Sequence, residues 1–333
     1  MTAAAGPAFA CPVCHTPIRG DANNNAINND AWICERCRSS YPIVDGINRF
    51  LPSERAAYFD EFLVDYTKVR LAEGRASEDP AYFRRLPEPT SGGPMESQWE
   101  LRARSWRTVR ARVIPKGANS LSIVDVGAGV CWLSNRLTEV GHLAHAIDLT
   151  IDQHDGLGAA RHFVATFARS QAEMDALPIA DASADVVIYN ASLHYSNDYA
   201  RTLTEALRVL APSGRIVVMD SPIYRHRDAG DQMVAERHLD FEQRFGSRSD
   251  SVPSVGYITS DMLNDLARTL GLQWTRHHTW YGWKWACKPW RARLGRRRQP
   301  GRFVVLVARR VRTRIAASTQ SSGLRAQGSV KSS

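Results

Sequence analysis

The segment Val124-Asp125-Val126-Gly127-Ala128-Gly129 constrains this chain more than any other. It joins an apolar run, Leu121–Val126, to a helical pattern over Leu133–Val140 through a turn made of glycines. Glycine at such a turn lets a ligand approach the backbone, and the helix that follows offers free N–H groups to an anion. The same texture then repeats. Leu143–Ile147 reads as a second strand ending at Asp148, Phe167–Ala172 as a weaker third and Asp185–Tyr189 as a fourth. A helix over Asn197–Leu210 leads through Pro212-Ser213-Gly214 to a strand at Arg215–Met219. Helix Ser260–Leu270, strand Gln273–Thr279 and strand Phe303–Val307 complete the series. Alternation at this rhythm predicts an α/β fold, a mostly parallel sheet covered by helices.

The glycine pattern narrows the ligand. A dinucleotide fingerprint needs a third glycine, and Cys131-Trp132 stands where it would fall. That weakens NAD and FAD, whose pyrophosphate uses the full pattern. Asp148 ends the second strand 19 residues after Gly129. A carboxylate at that tip can accept both hydroxyls of a ribose. Glu173-Met174 follows the third strand, succeeded by Leu177-Pro178-Ile179.

A second unit precedes this one. Cys11-Pro-Val-Cys14 and Cys34-Glu-Arg-Cys37 are two Cys-x-x-Cys pairs separated by 19 residues. Four thiolates satisfy tetrahedral Zn²⁺ with no open position, so the site is structural. A head of some 40 residues is too small for its own core, and the metal supplies much of its folding energy. The rivals are an iron–sulfur centre and a redox dithiol, and the latter lacks the βαβ context it requires. The stretch from Cys11 through Tyr41-Pro-Ile-Val-Asp-Gly-Ile to Phe50-Leu51 resembles the zinc-ribbon family of small activator subunits that partner RNA- and protein-modifying methyltransferases. A similar head also precedes the catalytic domain of bacterial large-subunit rRNA guanine methyltransferases.

Residues 121–220 resemble the class I S-adenosylmethionine-dependent methyltransferases, in the branch that includes ubiquinone- and menaquinone-biosynthesis enzymes. The runs DVGAG, AID, AEMDALPIADASADVV and EALRVLAPSGRIVVMD carry the resemblance, in order. It implies a Rossmann-like seven-stranded sheet with helices on both faces and an antiparallel last strand, here preceded by the small zinc ribbon. It also implies that Asp125, Gly127 and Gly129 border the methionine part of the cofactor, and that Asp148 takes the ribose. Glu173 and Met174 would border the adenine, with the Glu173 carboxylate on the exocyclic amine. Ser213-Gly214 stands where the family has Gly-Gly.

The fourth strand ends in Asn190-Ala-Ser-Leu-His194-Tyr195, where family members place groups beside the reacting methyl. Asn190 joins the cofactor-binding set. His194 is the candidate general base, since a near-neutral imidazole suits phenol, enol or amine deprotonation; the plainer alternative is a histidine satisfying a loop carbonyl. Asn190-Ala-Ser-Leu departs from the Asn-Pro-Pro-Tyr of base-amine methylases, which disfavours nucleobase amines. Tyr66 and Arg70 fall on a predicted helix, Ser53–Arg75, placed to meet the cofactor carboxylate or simply to face solvent.

Charge is unevenly spread. The chain of 333 residues has net charge +9, yet from Leu266 onward there are 16 Lys/Arg and no Asp or Glu. The remainder holds 27 basic and 34 acidic residues. The basic end also carries Trp280, Trp283, Trp285 and Trp290. Interleaved Trp and Arg fit an anionic membrane surface or stacked RNA bases, and a solvated tail is the bland alternative. Residues 11–51 are net neutral, which tilts the reading away from RNA.

The expected organisation is a zinc ribbon over 1–52, a helical lid and linker over 53–118, and a methyltransferase domain over 119–314. An insert covers about 221–258, and a disordered basic tail spans 315–333. No apolar run reaches the ~20 residues of a membrane span, and the N-terminus lacks a secretion signal, so the expected location is cytoplasmic, peripheral to a membrane at most. The expected activity is S-adenosylmethionine-dependent methyl transfer to a phenol, quinone-like, polyketide or lipid-linked small molecule. The alternative is an rRNA or tRNA methyltransferase that grips RNA through the ribbon and the basic tail.

Overall fold

A computed structural model describes residues 7–18, 31–114, 120–248 and 250–311. The expected tail, 315–333, lies outside the described residues. The head supplies three short strands, β1 (Ala31–Ile33), β2 (Ser40–Val44) and β3 (Ile47–Arg49). Three helices follow: α1 (Ser53–Ala72), α2 (Pro80–Arg85) and α3 (Glu96–Arg112). The alternating part opens with β4 (Ser122–Val126), α4 (Trp132–Glu139), β5 (Leu143–Asp148), β6 (Ala168–Gln171) and β7 (Ala184–Asn190). It continues with α5 (Tyr199–Val209), β8 (Leu210–Met219), β9 (Ile223–Tyr224) and α6 (Arg227–Phe245). Then come β10 (Ile258–Thr259), α7 (Ser260–Leu270), β11 (Leu272–His277), α8 (Trp283–Ala286), α9 (Lys288–Leu294) and β12 (Val305–Arg310).

The main sheet has ten strands in the order β1-β2-β3-β6-β5-β4-β7-β8-β12-β11, not the seven expected. Seven of the ten come from residue 122 onward, and β12 runs antiparallel to both neighbours as expected. The other three belong to the head. β6 would otherwise be an edge with unpaired N–H and C=O groups, and β3 adds to it in parallel, Asn48 opposite Ser170 and Arg49 opposite Gln171. Side chains fasten the join: Asn48 Nδ2 donates to Arg169 O at 2.9 Å, and Trp32 Nε1 donates to Asn48 Oδ1 at 2.8 Å.

Each face of the sheet has its own core. On one face Phe9, Trp32, Tyr41 and Phe50 of the head join Val124, Val126 and Ile147, together with Leu203 of α5 and Leu263 of α7. On the other, Trp99, Trp106 and Val109 of α3 meet Ile123, Val186 and Val217, with Trp132 and Leu133 of α4. The helices form where the pattern predicts. α5 buries Tyr199, Leu203, Ala206 and Val209 at helical spacing, and Asp198 caps it by accepting from Ala200 N at 2.9 Å. α7 is capped by the Thr259 hydroxyl and stopped by Gly271 at φ +61°.

Two stretches differ from expectation. The Pro- and Gly-rich span 76–95 contains α2, because Pro80 sits at a first helical turn, where its missing N–H costs nothing, and Phe83 and Leu86 are buried. The insert holds the long helix α6, which has no apolar stripe to announce it; Gly230 is its one buried residue. α6 is followed closely by contacts to α1: Lys68 Nζ donates to Phe245 O at 2.7 Å, and Ser247 Oγ bonds Asp65. α1 walls a cleft above the carboxyl ends of the parallel strands, where ligands bind in open α/β sheets, and α6 braces α1.

Candidate functional site

The cleft contains a cavity of about 210 Å³. Its floor is the end of β4, β5 and β7, and its wall is α1, α3 and the segment Val252–Ser254. The glycine loop closes tightly over β4. Gly127 N and Ala128 N both donate to Ile147 O, at 2.8 and 3.0 Å. Gly127 has φ +72°, and a Cβ there would lie 2.2 Å from Ser192 Cβ, so no other residue fits. Gly129, φ +52°, borders the cavity, and a Cβ there would meet nothing within 4 Å.

Asp148 lies at the tip of β5, as its spacing predicts. Its Oδ2 accepts from Gly129 N at 2.7 Å and its Oδ1 from Thr150 N at 2.8 Å. Burial raises its pKa, and the two N–H groups oppose that. Each oxygen keeps a lone pair for a hydroxyl donor. Glu173 and Met174 both line the wall, but Glu173 is occupied: Arg55 Nε and Nη2 donate to its two oxygens, each at 2.7 Å. Asn190 lines the floor, and its Oδ1 is buried without a hydrogen-bond partner among the described residues.

Asp125 is fully buried below the loop and is not part of the cavity lining. Its Oδ2 accepts from Ser134 Oγ at 2.8 Å, which ties β4 to α4, and burial pushes its pKa up to about 7. It shapes the loop from beneath. His194 also stands outside the lining, in a short 3₁₀ turn over Leu193–Tyr195. Its Nδ1 faces Ser221 Oγ at 3.2 Å. Burial, reinforced by Arg237 and Arg102, pushes its pKa down to about 3, so the imidazole is neutral at neutral pH. Tyr66 lines the cavity, but Arg70 is held by both oxygens of Asp155, one at 2.7 Å, and is not free for a cofactor carboxylate.

Three features carry no signal of their role in the sequence. Arg55 locks Glu173 from a helix whose charges looked like a solvated face. Asp220, at the end of β8 with φ 54°, accepts from Ser105 Oγ, which also meets Tyr281 OH at 2.7 Å; Oδ2 of Asp220 has no partner among the described residues. Burial pushes Asp220 up to about 6. Arg102 of α3 lines the cavity, and nothing in an Arg-rich helix marks it out from its neighbours. The insert over about 221–258 contributes Val252, Pro253 and Ser254 to the wall.

In the head, the sulfurs of Cys11, Cys14, Cys34 and Cys37 all lie within 4.8 Å of one another. Cys11 and Cys37 are 3.5 Å apart, as are Cys14 and Cys34. Four sulfurs at about 2.3 Å from one centre are separated by comparable distances, so the set suits a tetrahedral metal ion.

Comparison with known proteins agrees with this arrangement. A family model described as "Methyltransferase domain" matches residues 124–218, the span from β4 to the end of β8. The chain is similar to a malonyl-[acyl-carrier protein] O-methyltransferase of Hahella chejuensis, 35% identical over 97 residues, covering 28% of this chain and 34% of that protein. It is also similar to a dimethylglycine N-methyltransferase of Parasynechococcus marenigrum, 32% identical over 123 residues, covering 34% of this chain and 43% of that one. The chain thus spans about a third to under half the length of these curated relatives. A solved structure of an S-adenosylmethionine-dependent methyltransferase from Mesorhizobium loti overlaps 62% of this chain and 98% of its own, at 21% identity and TM-score 0.46.

Proposed function

We propose that this chain is an S-adenosylmethionine-dependent methyltransferase acting on a small or carrier-bound acceptor. The observation that carries the reading is the junction of Asp148 with the glycine loop: a carboxylate with free lone pairs, pinned to Gly129 N, at the rim of an open cavity. Gly129 leaves that rim bare, as a close-lying ligand requires. On this reading Asp148 holds the ribose, Met174 flanks the adenine, and the loop from Gly127 to Gly129 passes beside the methionine portion. Glu173 reaches the adenine amine by sharing its carboxylate with Arg55. Asn190 Oδ1 accepts from a donor on the cofactor or the acceptor.

The bound cofactor supplies an electrophilic methyl on a sulfonium. The chain aligns an acceptor lone pair with that carbon and takes up the acceptor proton where there is one. His194 lies outside the cavity lining, is hydrogen-bonded to Ser221 and is lowered by burial to a pKa too low for an effective proton acceptor, so we assign it an orienting role in the loop after β7. The organisation read from the sequence is retained in this proposal, with a ribbon over 1–52, a lid over 53–118 and the catalytic unit over 119–314.

The four cysteines hold structural Zn²⁺ on this reading, and the head is a zinc ribbon. The C-terminal helices support a peripheral membrane contact: Trp280, Trp283, Trp290 and Leu294 are 56–84% exposed, with cations between them. Trp285 instead stacks on Phe303 at 5.2 Å, under Lys288. No helix among the described residues is long and apolar enough to cross a membrane. The test of the function is labelling with tritiated cofactor in an extract lacking the enzyme, sorted into RNA, protein and lipid-soluble or small-molecule fractions. Label in the small-molecule or carrier fraction is expected. Label in RNA alone favours the RNA-methylating alternative, and no enzyme-dependent label removes the proposal.

A further inference from the structure

Four arginines border the cavity, and three are already paired with carboxylates. Arg55 spans Glu173, Arg201 meets Asp175 at 2.9 Å, and Arg70 is held by Asp155. Arg102 has neither a hydrogen bond nor an ion pair with any described residue. Its guanidinium lies over the Trp99 ring at 4.7 Å, a face-on contact that leaves the in-plane N–H donors unused. Burial pushes its pKa down to about 10, and Arg75 and Arg70 push in the same direction. An arginine does not lose its proton at neutral pH, so the charge stays and no described residue takes up its donors. Arg102 is half-buried at the cavity, so its unpaired charge is partly withdrawn from water and favours an anion entering there.

The position of Arg102 says which part of the cavity this is. Ser105, one helical turn further along α3, is hydrogen-bonded to Asp220 at the end of β8. The charge of Arg102 is also felt at Asp220 and at His194. Through the Ser105–Asp220 bond this turn of α3 is tied to the end of β8, while Arg102 also faces the charges of Arg70 and Arg75. The orphan on the cavity floor, Asn190 Oδ1, is an acceptor and repels an anion, which leaves Arg102 as its seat.

We propose that the methyl acceptor carries a carboxylate or phosphate group and that Arg102 anchors it, with two parallel N–H bonds, at the β7–β8 side of the cleft. The proposal rests on the methyltransferase reading. The carboxylate of the cofactor itself is the other source of such an anion, and the test separates the two.

The test is calorimetry on the full-length, zinc-loaded chain. S-adenosylhomocysteine is titrated first. Inorganic phosphate, and separately propionate, is then titrated into the saturated protein. The variants are Arg102→Gln and Arg102→Lys. The expected result is that Arg102→Gln weakens anion binding by about tenfold or more, the scale of a lost bidentate charged contact. Arg102→Lys, which keeps the charge without the fork, falls between. Both variants should bind S-adenosylhomocysteine within about twofold of the wild type, which also reports that they are folded. Equal anion affinity in the wild type and Arg102→Gln overturns the proposal. So does a loss of S-adenosylhomocysteine affinity in the folded Arg102→Lys protein, because Arg102 then serves the cofactor. Failure of the wild type to bind S-adenosylhomocysteine at all strikes the methyltransferase reading first, whatever the anions do.

Discussion

On the β4–β6 side of the cleft, Asp148 accepts two backbone N–H groups, Glu173 is gripped by Arg55, and the glycine loop is pinned to Ile147 O. On the β7–β8 side, Asn190 Oδ1 and Asp220 Oδ2 have no partners among the described residues, and Arg102 pairs with no described carboxylate; on the first side the unpartnered Asp125 Oδ1 lies beneath the loop, outside the cavity lining. The first side is held in one arrangement before any ligand arrives. The second keeps charged and polar groups unmet inside the protein. A region that must hold one fixed molecule can be completed by its own hydrogen bonds. A region that must discriminate an acceptor leaves some of its bonds for that acceptor to make.

The comparison breaks if the β4–β6 side does not depend on the head that extends its sheet. On the zinc-ribbon proposal, chelating the metal, or Cys34→Ser, should cost on the order of 3 kcal/mol or more, as for loss of a structural metal site. Hydrogen exchange should then accelerate in Ala168–Gln171, which pairs with β3, while Val305–Arg310 at the other end keeps its protection. Equal acceleration at both ends would mean that the head supports the whole sheet and not one side.

Next in size is the glycine loop. Gly127→Ala drives a methyl group into Ser192 from a left-handed backbone and should cost about 2–4 kcal/mol. Gly129→Ala, with open space around its Cβ, should cost about 1 kcal/mol through backbone strain alone. Denaturant unfolding of the two variants checks the ranking, and a reversed order would misplace the tight point of the loop.

Asp220 sharpens the other side. Its pKa is raised by burial to about 6, above the ordinary carboxylate value. The unfolded chain gives up that proton at lower pH than the folded one, so the group erodes stability as pH rises from about 4 towards 6, and the loss persists above. Asp220→Asn keeps an acceptor for Ser105 and removes the charge. The variant should melt higher than the wild type at pH 8, with the gap closing as pH falls towards 4. A variant that is less stable at pH 8 would show that the carboxylate is paired after all.

The smallest effect on stability belongs to the C-terminal helices. Trp290→Ala and Leu294→Ala remove side chains that are 74% and 84% exposed, and should shift stability by no more than about 0.5 kcal/mol. Their consequence should appear as weaker sedimentation with vesicles containing anionic lipid. Total RNA competing tenfold better than those vesicles at physiological salt would transfer this surface to RNA.

Where the sequence was informative, a local rule governed the outcome. Asp148 could be placed because strand length and the distance from Gly129 fix a strand tip. Ser260–Leu270 could be placed because a hydroxyl cap, a helical stripe and a stopping glycine agree. The ten-stranded architecture could not, because the pairing of Asn48 with Ser170 joins residues 122 apart and leaves no mark in either segment. Asp125 was assigned to the ligand from its place in the motif, whereas its side chain points into the core at Ser134. Arg102 was invisible for a different reason. An unpaired charge is a property of what surrounds it in space, and Arg104, Arg107 and Arg110 on the same helix look identical in the sequence. α6 was missed because its apolar residues, among them the exposed Leu239, are not gathered on one buried face.

The central claim is that the β4–β6 side of this cleft binds S-adenosylmethionine through Asp148. Titration calorimetry of S-adenosylhomocysteine into the wild type and Asp148→Ala tests it directly. The account predicts one site in the wild type and an affinity weaker by about 1.5–3 kcal/mol in the variant, the scale of hydrogen bonds to a charged group. Undiminished binding in Asp148→Ala, in a protein that still melts cooperatively, would contradict it.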